Sequence, residues 1–139
     1  MQQYNYNKMK RREIREHVFK MLFLEKFHDK TQLPEQIELY TSTIEEAKED
    51  EIIYLEERYN NVMEKLTEID TMIKEASSGW DIDRMGKTDL AIMRLAVYEL
   101  KYDEEIPIGV AINEAVELAK IFGQDNSPSF VNGILAKLV

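Results

Sequence analysis

The spacing of apolar residues between positions 52 and 73 leaves this chain little choice of architecture. Ile52, Leu55, Tyr59, Val62, Leu66, Ile69 and Ile73 follow one another at intervals of 3, 4, 3, 4, 3 and 4. That repeat gathers side chains on one stripe of a helix, whereas a strand needs alternation of period two. The remaining sequence agrees, because 139 residues contain only 5 Gly and 3 Pro and alternating β-branched residues are scarce. The expected fold class is all-α: two small packed bundles of about six to seven helices. The 52–73 seam can join two copies as a coiled coil or form the spine of an intramolecular bundle. About three heptads are marginal for an autonomous coil, and the flanking helices also need a partner, so the bundle is favoured.

Local signals divide the rest. Residues 1–7, MQQYNYN, are polar and unpatterned and are expected to be a flexible tail, ahead of a single domain over 8–139. A first helix spans roughly Lys8 to His28, with Ile14, Val18, Met21 and Leu22 on its apolar stripe. Pro34 can begin a second helix running to about Ala47. The seam then reads as one long third helix. Ser77-Ser78-Gly79 breaks the pattern and marks a division between an N-terminal half (8–77) and a C-terminal half (80–139), with a short helical turn over Trp80 to Met85. Thr88 is a candidate N-cap for a helix to Tyr102 buried through Leu90, Met93, Val97 and Leu100. After the Asp103-Glu104-Glu105 loop, Pro107 can open a helix whose face is Ala111, Ala115, Leu118, Ala119 and Phe122, with Gly123 as a left-handed cap. Ser127 and Pro128 then read as N-cap and first residue of a last helix, buried through Val131, Ile134, Leu135 and Leu138.

Charge and composition narrow the function. With no Cys, thiolate chemistry, disulfides and Cys-ligated zinc are excluded. His17 and His28 lack paired-ligand spacing, no GxGxxG, Walker A or GxSxG pattern occurs, and the many carboxylates single out no acid–base pair. Neither enzyme activity, cofactor nor metal is therefore expected, and binding is the leading class. No apolar run is long enough to cross a membrane, and the basic start lacks the apolar core of a signal peptide, so a cytoplasmic location is expected. The formal net charge is -9, yet residues 1–34 hold 8 Lys or Arg against 4 acids, while residues 35–75 hold 4 against 13. Lys8, Lys10, Arg11, Arg12 and Arg15 make this basic pole, and Lys8, Arg11, Arg12 and Arg15 fall along one helical ridge able to meet successive phosphates. The bland alternative is a solvated helix face. Phe130 and Asn132 supply the ring and amide with which proteins read unpaired bases.

Three motifs in order carry a family resemblance: MRLAVYEL from Met93 to Leu100, Pro107 with VAINEAVELAKIFG from Val110 to Gly123, and Ser127 with FVNGIL from Phe130 to Leu135. With Arg11, Arg12 and Arg15 ahead of an apolar helix, the chain resembles the NusB family of bacterial transcription antitermination factors. The likeness is specific over 80–138, moderate over 8–27, and one of helical pattern alone between them.

The resemblance implies an RNA-binding protein that recognises single-stranded boxA-type RNA as a heterodimer with NusE, a small-subunit ribosomal protein, within a transcription complex that includes RNA polymerase. Arg11, Arg12 and Arg15 match the family's arginine-rich motif, Phe130 and Asn132 its FVNG motif, and Asp89 an acidic position that meets the protein partner. Asp81 and Asp83 join Asp89 on charge alone. A homodimer of the free protein is a further possibility. Two positions depart from the family pattern: Ser129 stands where Lys or Arg is common and removes a phosphate contact, while Asn126 replaces a familiar Asp and lessens repulsion of RNA. Other motif residues have structural explanations. Arg94 can pair with Glu99 or Glu114, Tyr98 and Glu99 can join helices, and Asn113 can satisfy a helix end. Gly133 costs a helix about 1 kcal/mol relative to Ala unless close packing or a ligand requires it. Two other functions stand beside this one: a helical interaction protein that uses no RNA and dimerises through 52–73, and the related domain of ribosomal RNA cytosine methyltransferases, disfavoured because no cofactor-binding domain follows before Val139.

Overall fold

The heptad seam is helical but not one helix. A computed structural model describes residues 9–45 and 47–139, and among them the seam is divided into α3 (Glu49–Glu64) and α4 (Leu66–Ala76). Lys65 leaves helical geometry at φ -102° and ψ 11°, and its amide bonds back three residues to the Val62 carbonyl at 3.0 Å. Neither Pro nor Gly announces the break, so periodicity runs straight across it. Leu55, Tyr59, Val62, Ile69 and Ile73 are buried within the single chain, leaving little of the seam to drive a coiled coil between copies.

The chain forms two compact units, one ending at Asn61 and the other Val62–Val139. The first holds α1 (Arg11–Leu24), α2 (Leu33–Ser42) and most of α3. Ile14, Val18, Phe19, Met21 and Leu22 of α1 are buried with Leu33 and Ile37 of α2, and these two helices pack together. Asp29 organises the entry to α2: its carboxylate accepts from the Thr31 hydroxyl at 2.6 Å and from the Thr31 and Gln32 amides. The Thr31 hydroxyl, above all, holds the Asp29 carboxyl below its ordinary pKa. α2 stops at Ser42 instead of reaching Ala47. Thr41, Ser42 and Thr43 donate their hydroxyls to the carbonyls three residues back, a local competition that disfavours helix continuation.

In the second unit α5 (Lys87–Tyr102) is central, packing against α4, α6 (Ile108–Phe122) and α7 (Ser127–Ala136). Every residue from Leu90 to Glu99 is buried. The expected stripe is thus a helix covered all round. A Schellman turn closes α4: the Gly79 amide reaches the Lys74 carbonyl at 2.9 Å and the Ser78 amide reaches Glu75 at 3.2 Å. Ser78 and Gly79 are both left-handed, at φ 63° and 87°, so Ser occupies the position that usually favours Gly. A 3-10 turn over Ile82–Arg84 follows.

Three caps differ from sequence expectation. Gly86, not Thr88, precedes α5, and Thr88 lies inside its first turn. Ser127 is the first residue of α7 rather than its cap; its hydroxyl oxygen accepts the Gln124 amide at 2.9 Å, serving the loop before the helix. Gly123 is extended, at φ -93° and ψ -167°. Its requirement is space, because a Cβ there would lie 2.6 Å from Ser127 and 2.8 Å from the Ala119 carbonyl.

Candidate nucleic-acid interface

The cations belong to the first unit. Lys10 occupies the cap of α1, and Arg11, Arg12 and Arg15 follow at its start. Lys10, Arg11 and Arg12 are exposed and Arg15 is half-buried, whereas the opposite stripe of α1 is in the core. Lys8 and the expected tail lie outside the described residues. Glu13 turns toward the helix N-terminus and accepts the Lys10 amide at 3.1 Å, where orphan amides and the helix dipole favour a carboxylate. Glu16 pairs with Lys20 at 3.1 Å. Arg12 and Arg15 also make interactions within the protein.

Glu51 fixes where this helix begins. It is 3% exposed; one oxygen accepts the Met9 amide at 2.7 Å and the other the Lys48 amide at 2.8 Å. A buried carboxylate with two main-chain donors is well satisfied, and hydrogen bonds to a charged group contribute about 1.5–3 kcal/mol each. The residue before the basic ridge is thereby tied to the start of α3. No sequence pattern singles out Glu51, since Met9 is 42 positions away.

His17 lies farther along α1, with its Nδ1 2.7 Å from the Tyr40 hydroxyl. Burial, with Lys20 second, lowers the His17 pKa below 6.5. Burial, with the Glu16 carboxylate second, pushes Tyr40 up to about 12. Both groups are therefore neutral near pH 7, and His17 behaves as a part-buried structural residue.

The second unit carries the other expected residues. Asp81 caps the 3-10 turn, accepting the Asp83 amide at 3.0 Å. Asp83 is exposed, and Asp89 is half-buried in the first turn of α5, where a negative charge suits the helix dipole. The three acids share one short segment leading into α5. Arg94 is 3% exposed and grips Asp70 of α4 through two parallel bonds, Nε to Oδ1 and Nη2 to Oδ2, each 2.8 Å. Asp70 is a partner that no spacing suggested, and this bidentate pair ties α4 to α5.

Phe130 and Asn132 stand on α7, the ring half-buried and the amide exposed. Beside Phe130 is Trp80, which is 55% exposed, with ring centroids 6.3 Å apart and planes inclined at 58°. Asn132 also borders a groove of about 490 Å3 between α6 and α7, together with Ile112, Asn113, Val116, Pro128 and Ser129. Asn113 is exposed on this groove rather than at a helix end. A Cβ at Gly133 would meet nothing within 4 Å, so packing inside the chain does not require that glycine. Among the described residues no group of three or more metal-binding side chains is assembled, and no helix is long and apolar enough to cross a membrane.

An all-helical chain that displays arginines at one helix start and a ring-and-amide patch on another helix is built as a helical binding module. The chain belongs to the NusB family, which it matches over residues 12–139. It is 55% identical over 131 residues to the transcription antitermination protein NusB of Lachnoclostridium phytofermentans, covering 94% of this chain and 99% of that protein. The structure of T. maritima NusB is similar, with a TM-score of 0.80, 36% identity, and coverage of 94% of this chain and 91% of that one. The crystal structure of antitermination factors NusB and NusE in complex with double-stranded RNA contains a chain of the same fold, with a TM-score of 0.73, 23% identity, and coverage of 98% and 96%.

Proposed function

We propose that the chain is a non-enzymatic RNA-binding adaptor of transcription antitermination, acting in the cytoplasm on boxA-type single-stranded RNA together with NusE, and promoting antitermination during ribosomal RNA transcription. The observation that carries this function is the exposed ridge of Lys10, Arg11 and Arg12 on a helix whose other stripe is core, in a chain of net charge -9 that belongs to the NusB family. The name of its 55% identical relative and the NusB–NusE–RNA complex supply the process and partners. Lys8, Lys10, Arg11, Arg12 and Arg15 hold phosphates, while Phe130 and Asn132 meet unpaired bases. Asp81, Asp83 and Asp89 draw in the basic partner, and the acidic remainder discourages indiscriminate RNA contact. The assembled pair then joins a transcription complex that includes RNA polymerase.

A titration of boxA-like RNA against the full chain, with and without NusE and at several salt concentrations, tests the function. Replacing Arg11, Arg12 and Arg15 together by Glu removes salt-sensitive RNA binding and leaves helicity intact, since each ion contact contributes roughly one unit of salt slope. Asp89→Lys weakens the NusE complex far more than it weakens RNA binding by the single chain. Unchanged RNA affinity in the arginine variant removes RNA from the function, and equal losses for Asp89→Lys in both assays overturn the separation of the two surfaces.

A further inference from the structure

We propose that Trp80 is a base-stacking platform for unpaired RNA, braced by Phe130. This role rests on the RNA-binding function above and adds a residue that the family motifs do not assign. Trp80 is more than half exposed and stands beside the Phe130 ring, so two aromatic side chains share one surface patch instead of lying scattered. The Schellman turn that closes α4 leads directly to it: Ser78, two residues before, takes the left-handed cap position at φ 63°.

The ring geometry decides how a ligand can sit. Centroids 6.3 Å apart and planes inclined at 58° leave no parallel slot for a base between the rings. The two rings instead form a corner. Phe130 is half-buried and fixed by α7, so it supports the indole from one side, and the open face of Trp80 is free to accept a flat heteroaromatic ring. The occupant is an unpaired nucleobase. Its π-face stacks on indole without regard to sequence, and its polar edge suits the carboxamides of Asn132 and Asn113 that border the neighbouring α6–α7 groove. A paired base has its faces covered by its neighbours and its edge by its partner, so duplex RNA does not use this corner.

Trp80 is the one Trp in the chain, and its emission therefore reports on this corner alone. A single-stranded boxA-like RNA of about 12 nucleotides is titrated into the full chain while Trp80 emission and the anisotropy of end-labelled RNA are both followed. Both signals give one dissociation constant, with emission quenched by the single strand and unchanged by a duplex of equal length. Trp80→Ala weakens single-strand binding by roughly 5- to 100-fold, the range expected for one lost stacking contact, and Trp80→Phe restores most of it. Anisotropic binding with unchanged emission, or a Trp80→Ala affinity within about twofold of the parent, overturns the platform while RNA binding stands. Equal quenching by duplex RNA also overturns it. Absence of anisotropic binding to either RNA removes the parent function, and the platform with it.

Discussion

α1 and α5 are similar in length and opposite in use. α1 buries one stripe and turns Lys10, Arg11 and Arg12 to solvent; α5 shows solvent almost nothing between Leu90 and Glu99. A helix with a free face can carry ligand chemistry there at little cost in stability, since exposed substitutions usually shift stability by less than about 0.5 kcal/mol. A helix covered all round cannot: each of its side chains answers to a neighbour, and even its arginine serves structure. Arginine on α1 is displayed to solvent, where the proposed function uses it, and arginine on α5 is architecture, a distinction that composition does not reveal.

The strongest way to break this contrast is Asp70→Ala. Arg94 keeps its buried charge on α5 with its bidentate partner gone, and because the Asp70 side chain is 25% exposed, the expected loss is about 3 kcal/mol, the low end for a broken buried pair. Urea unfolding measures it, and a loss comparable to that of an exposed substitution would place Arg94 among the functional arginines instead. A smaller effect of opposite sign is expected at Gly133, in an exposed helix position with open space around it. Gly133→Ala stabilises by about 1 kcal/mol, raising the melting temperature by a few degrees. If the same variant binds RNA less tightly, the glycine is kept for a ligand's approach; unchanged affinity makes it a plain cost of the sequence.

The smallest effect sharpens the α1 side. The His17 pKa in the folded chain is below 6.5, so between that folded value and 6.5 the unfolded chain binds the extra proton. Stability due to this group is full above 6.5 and falls as the pH drops toward the folded value. Comparing the parent with His17→Gln by urea unfolding at about pH 7.5 and about pH 5.5, the parent loses more stability on acidification; parallel losses would show that His17 is not the group responsible.

Local physics carried the sequence a long way. The apolar stripe of α1, that of α7 through Val131, Ile134 and Leu135 though not Leu138, which falls half-buried beyond the helix, the extent of α5 to Tyr102, the helical turn after Trp80 and the exposure of Arg11 and Arg12 follow from spacing and turn residues that act within a few positions. What stayed hidden depends on partners far along the chain. Arg94 and Asp70 are 24 positions apart, and Glu51 and Met9 are 42 apart; no periodicity links either pair. The break at Lys65 interrupts a perfect apolar register, and the Lys65 ammonium lies 5.2 Å from the centre of the Tyr102 ring, a contact made only in the folded state. Gly123 was legible as a constraint but not as its kind, because a left-handed cap and a crowded backbone ask for the same residue. Trp80 read as part of a turn, since sequence does not tell which side of a turn remains open or which ring stands beside it.

The Glu51 clamp bears on the order of events as the protein is made. Synthesis delivers the amino end first, so the basic segment leaves the ribosome well before the carboxylate that will anchor Met9 has been added. Until residue 51 emerges, the arginines sit on a short amphipathic stretch whose isolated helicity is marginal. The start of the basic helix therefore gains its anchor only once translation has passed the turn into α3, and nascent chains shorter than that carry its charges without its shape.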